Sequence, residues 1–140
     1  MRLLLGFILM IFTLSSYSQE QSLTREEEAV LSIEKGNAKA EAGDWKGALN
    51  DYNNAAGYDP KSHEAYYRRA VASHNLKDYR SAVNDYSKAI YLDNSDGYSY
   101  FGRGQCYIEL GRKDNACVDL SKASGLGHPE AATLMMNNCN

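Results

Sequence analysis

A chain of 140 residues with 15 Lys and Arg against 18 Asp and Glu carries a formal net charge of −3, and 44% of it is apolar. That length suits a single domain, and an acidic balance with no basic cluster beyond Arg68-Arg69 and Arg112-Lys113 argues against a nucleic-acid partner. His63, His74 and His128 stand apart, with no His-Glu-x-x-His pair and no cysteine pair at zinc spacing, so neither metal nor cofactor is expected.

Residues 1–18 read as a targeting segment. Arg2 supplies a positive start, Leu3 to Leu14 is an uncharged run of 12, and Ser16-Tyr17-Ser18 places small residues at the cleavage-defining positions. As a helix that run spans roughly 18 Å, short of the ~30 Å hydrocarbon core, so a removed signal peptide is expected rather than a membrane anchor. The mature chain would then be periplasmic or secreted, with no stable membrane insertion. Residues 19–28 form a lead-in and helix start, where Thr24 and Glu27 have the capping-box spacing. Helices are predicted over 24–42, 45–58, 63–76, 79–92, 98–110, 113–125 and 130–138, from apolar residues recurring at helical rather than alternating spacing. Gly43, Gly111 and Gly125-Leu126-Gly127 punctuate helix ends. Residues 129–140 read as a lone capping helix with a polar tail. The fold class is all-α.

A 34-residue period runs through this pattern. The segment from Gly43 to Ala55 returns as Lys77 to Ala89 and again as Gly111 to Ala123. Such a period marks a stack of helical hairpins. Three columns are small: Ala48/Ala82/Ala116, Ala55/Ala89/Ala123 and Gly36/Ala70/Gly104. Small residues let the two helices of a hairpin approach where a larger one would overpack. Trp45/Tyr79, Tyr52/Tyr86/Leu120 and Tyr58/Leu92/Leu126 are expected to fill the space around them. Ser32 and Lys39 stand where the third unit has Tyr100 and Tyr107, which predicts a less buried first end.

Gly36, Trp45, Ala48, Tyr52, Ala55 and Pro60, taken together, resemble the tetratricopeptide repeat. The resemblance covers residues 29–62, 63–96 and 97–128, nearly all of the mature chain. It implies a right-handed superhelical solenoid of antiparallel helix pairs, in which the first helix of each pair lines a concave groove. Phase then assigns that groove Val30, Ile33, Asn37 and Glu41; Glu64, Tyr67, Val71, His74 and Asn75; and Tyr98, Phe101, Gln105, Ile108 and Glu109. Some relatives hold the acidic tail of heat-shock chaperones through a carboxylate clamp of lysine, asparagine and arginine. The clamp positions fall here on Ile33, Asn37, Arg68, Tyr98 and Gly102; only Asn37 matches, so that ligand is not expected.

Asp51, Asp85 and Asp119 share one phase, and Arg69 and Arg103 follow the first two by 18 residues. Asp51–Arg69 and Asp85–Arg103 are therefore expected as ion pairs between repeats. Gly102-Arg103-Gly104 lacks the strand that a phosphate loop needs and reads as close helix packing. Cys106 lies among apolar neighbours as a core residue, and His63 and His128 are expected at the surface.

With no catalytic constellation, an enzyme is not expected. The function expected is protein–protein interaction, a peptide or protein segment bound in the concave groove. A self-associating scaffold of an envelope assembly is the first alternative, and a carbohydrate-binding or enzymatic use of the tyrosines the second. Three cysteines allow at most one internal bridge. Cys117–Cys139 would tie the capping helix to the stack; Cys106–Cys117 and three reduced thiols are the alternatives.

Overall fold

The structure, a computed structural model, describes residues 22–139, so the proposed signal segment lies outside the described residues. Among the described residues seven helices follow one another: α1 (Arg25–Glu41), α2 (Trp45–Tyr58), α3 (His63–Asn75), α4 (Tyr79–Leu92), α5 (Gly97–Glu109), α6 (Lys113–Gly125) and α7 (Ala131–Asn138). There is no strand among the described residues. The closest packing is within the pairs α1/α2, α3/α4 and α5/α6; each pair then stacks on the next, and α7 closes the last. This is the expected solenoid of helical hairpins.

Local chemistry starts and stops the helices. Thr24 and Glu27 form the capping box, with the Thr24 N–H donating to Glu27 Oε2 at 2.8 Å and the Glu27 N–H to Thr24 Oγ1 at 3.2 Å. Asp44, Ser62, Asp78 and Asp96 each accept a backbone N–H at the start of α2, α3, α4 and α5. Inside each hairpin the chain reverses through one left-handed residue, Gly43 (φ +80°), Lys77 (φ +62°) or Gly111 (φ +70°). Glycine takes that backbone freely, whereas Lys77 bears its steric cost.

The small columns do what their spacing implies. Ala48, Ala82, Ala116, Ala55, Ala89 and Ala123 are all fully buried. A Cβ at Gly36 would overlap the Tyr52 ring and one at Gly102 the Tyr86 ring, so the Gly102-Arg103-Gly104 run is a packing device. Tyr58 departs from its column: it is exposed, whereas Leu92 and Leu126 are half-buried.

Two expectations are corrected here. The first end is not open at Ser32, which is buried, although Lys39 stays exposed with its Nζ 2.7 Å from Asp51 Oδ2. Nor do the arginines pair with the aspartate of the preceding repeat. Arg69 makes a two-pronged bond to Asp85 (2.8 and 2.7 Å) and Arg103 one to Asp119 (2.7 and 2.8 Å), each inside its own hairpin. The reach between repeats is made by the third guanidinium nitrogen. Arg69 Nη1 donates to Asn53 Oδ1 at 2.8 Å and Arg103 Nη1 to Ser87 Oγ at 3.0 Å, both on the preceding second helix.

A disulfide joins Cys117 on α6 to Cys139 at the end of α7, with α-carbons 5.7 Å apart. Cys106 remains a free thiol, fully buried beside Ala70, Ala82 and Tyr86. Burial pushes its pKa up to about 12, so it stays protonated and inert at neutral pH.

Candidate functional site

One face of the stack is built by α1, α3 and α5, the first helix of each hairpin. Two clefts open on it. The first, about 330 Å³, lies between α1 and α3, where Asn37, Ala40 and Glu41 face Arg68 and Val71, with Trp45 and Tyr52 of α2 behind. The second, about 380 Å³, lies between α3 and the start of α5, lined by His63, Glu64, Tyr67, Arg68, Asp96 and Tyr98. Arg68 borders both, so the two clefts adjoin along this face.

The walls are fixed by packing and hydrogen bonds. Tyr52, 2% exposed, donates its hydroxyl to Asn37 Oδ1 at 2.8 Å and holds that amide in place. Tyr67 lies between the His63 ring (6.2 Å, stacked) and the Tyr86 ring (6.0 Å, tilted), and burial raises its hydroxyl pKa. Tyr98 is 56% exposed, its ring edge-on to His128 at 4.7 Å. Rigid aromatics with open faces are the residue type on which peptide docking depends most.

Not every residue assigned to the groove from phase is there. Ile33 is 8% exposed and packs with Ala55, Ala56 and Ala65 in the seam between the first two hairpins, so it belongs to the core. Val30 opens onto the free side of α1 beside Leu23, Glu26 and Leu31. Phe101 is half-buried, its ring stacked on His128 at 3.9 Å. His74 is half-buried near Tyr79, and burial lowers its pKa. Gln105 and Ile108 are half-buried and border neither cleft.

Of the two histidines expected at the surface, His63 stays partly exposed in the lining of the second cleft and His128 is taken inward. His128 is 8% exposed: Gly127 (φ +86°) turns the chain, the His128 N–H donates to the Ala123 carbonyl, and the ring swings onto Phe101. His63 Nε2 sits 3.1 Å from Asp96 Oδ2. Sequence phase missed Arg68, Asp96 and Trp45 as cleft residues. Arg68 follows Glu64 by one helical turn, a signal that was available. Asp96 is an N-cap and Trp45 sits on a second helix, so first-helix periodicity could not have found either.

Ser99, His63 and Asp96 meet in space, but not as a nucleophile, base and orienter. Ser99 is fully buried, and its hydroxyl donates to Asp96 Oδ2 at 2.6 Å. The one histidine nitrogen near Ser99, at 3.5 Å, is the one already on Asp96. A nucleophile must reach a substrate and a free base, and here Ser99 is closed off from solvent and the nearby nitrogen is held by Asp96. The cluster caps α5. No group of His, Cys, Asp and Glu among the described residues is placed to hold a metal.

Hairpins stacked at a 34-residue period, with a groove along their first helices, define a helical-repeat solenoid. Tetratricopeptide-repeat family models match residues 33–99 and 97–132, and the chain belongs to that family. A search of curated proteins finds no match. Among solved structures, the first tetratricopeptide domain of Spaghetti (RPAP3) bound to HSP90 peptide SRMEEVD is 25% identical, with a TM-score of 0.79 over 81% of this chain and 92% of that one. The TPR domain of Arabidopsis OM64 is 27% identical (TM-score 0.78; 81% and 94% covered). The second human RPAP3 domain, in complex with HSP70 peptide SGPTIEEVD, is 24% identical (TM-score 0.79; 83% and 98% covered), a likeness of fold.

Proposed function

We propose that this protein is a non-catalytic interaction module that captures an extended segment of another protein in the α1/α3/α5 groove. The observation that carries this is the pair of clefts sharing Arg68, each walled by aromatics whose positions the fold fixes. A structural relative that holds a short peptide supports the same use of the fold. Tyr67→Ala with Tyr98→Ala is expected to weaken partner capture about tenfold or more while far-ultraviolet circular dichroism stays unchanged. Capture that persists at full strength in the double variant would move the site to the other face.

We further propose that the module works after export. The apolar run Leu3–Leu14 supports this, and so does the Cys117–Cys139 bridge, since disulfides persist in oxidising compartments. Mass spectrometry of protein from its native host should find an N-terminus within a few residues of Gln19. Recovery of the intact N-terminal segment in the membrane fraction would refute export.

A further inference from the structure

The chemistry of the occupant can be taken one step further, resting on the groove reading above. The charges facing the two clefts are unequal. Glu41 is exposed in the first cleft beside Trp45 and Val71, and no cation among the described residues pairs with it. Glu64 and Asp96 flank Tyr67 and Tyr98 in the second. Against these three carboxylates stands one guanidinium, Arg68, which already meets Glu64 at 3.3 Å. Protonating His63, which lies on Asp96, would still leave the lining negative. Further along the same face, Glu109 lies close enough to act on His74.

We infer that the groove selects an extended segment in which an apolar side chain neighbours a lysine or arginine. The cation's aliphatic stem lies along Val71 and Trp45 with its head at Glu41, and the apolar neighbour enters between Tyr67 and Tyr98. A carboxylate beside an indole attracts a cation twice, by its charge and by the ring face, while the stem covers apolar surface. An acidic segment such as SRMEEVD meets three carboxylates instead. Of the positions where relatives place cationic clamp residues, Ile33 is core, Gly102 lies against Tyr86, and Tyr98 carries no charge.

Fluorescence anisotropy on the mature protein tests this, with short labelled peptides that share a central leucine and differ only in flanking Lys, Gln or Glu, and with SRMEEVD as a fourth probe. The Lys peptide is expected to bind about tenfold tighter than the Glu peptide at low salt, with the gap closing as salt rises. Glu41→Gln, at an exposed and unpaired position, should weaken the Lys peptide about threefold or more and leave the Gln peptide unchanged. Equal affinities across the series, tighter binding of SRMEEVD, or indifference to Glu41→Gln would overturn the cationic preference and leave the groove standing. Absence of binding by every probe, or binding that Tyr67→Ala with Tyr98→Ala does not touch, would overturn the preference and the groove together.

Discussion

Asp119→Ala is expected to destabilise the fold by about 3 kcal/mol, read from the midpoint of urea unfolding. The Asp119 side chain is 4% exposed and takes two hydrogen bonds from Arg103, itself 19% exposed. Removing the carboxylate leaves a guanidinium packed near Tyr100 and Tyr107 with only Ser87 to satisfy it. Breaking a buried pair from one side costs more than the pair contributes, because the surviving charge stays desolvated. Asp85→Ala should cost less, since the Asp85 carboxylate is 14% exposed against 4% for Asp119 and depends less on its partner, whereas the two arginines, 22% and 19% exposed, are about equally open to water. Asp51→Ala should cost least, about 1 kcal/mol or below, because Lys39 is 44% exposed and can turn to solvent. The test lies in the order Asp119, Asp85, Asp51. Equal losses, or the reverse order, would mean these pairs do not derive their effect from burial.

The same aspartates show what periodicity can and cannot reveal. Their column, the helices on either side and the small-residue contacts were all legible, because each depends on a side chain's phase along one helix. Pairing depends on which neighbour a helix face meets. Arg69 follows Asp51 by 18 residues and precedes Asp85 by 16, and the two offsets together make one period. A repeating sequence therefore offers both partners equally, and the hairpin geometry decides. Ile33 failed for a related reason: its phase is that of Tyr67, but the contact its helix face makes is with Ala55 and Ala65 in the seam between the first two hairpins. His128 was missed because its place is set by a left-handed glycine outside any helix. Of the groove itself, the contributions of α3 and α5 were read best, at Tyr67 and Tyr98. Trp45 and Asp96 needed the third dimension.

Removing the Cys117–Cys139 bridge, by Cys139→Ser or by a dithiol reductant, should release α7 while leaving the three hairpins folded. The helix has eight residues, fewer than an isolated helix needs to hold in water. Its start has no side-chain cap, and Ala131 is its only fully buried residue; Leu134 and Met135 are half-covered and Met136 is 59% exposed. Against so little burial, closing a loop of 22 residues contributes about 3 kcal/mol on the chain-entropy estimate. Amides of Ala131–Asn138 should then exchange about 100-fold faster on reduction, with α3 and α4 nearly unchanged. Cys106 serves as the internal control. Fully buried, with its thiol held protonated by a pKa pushed up to about 12, it should resist alkylation in the reduced native protein while Cys117 and Cys139 react. Exchange at α7 indifferent to reduction would show that packing alone seats the cap. Early alkylation of Cys106 would show instead that the third hairpin opens with it, coupling the bridge to the Tyr98 end of the groove.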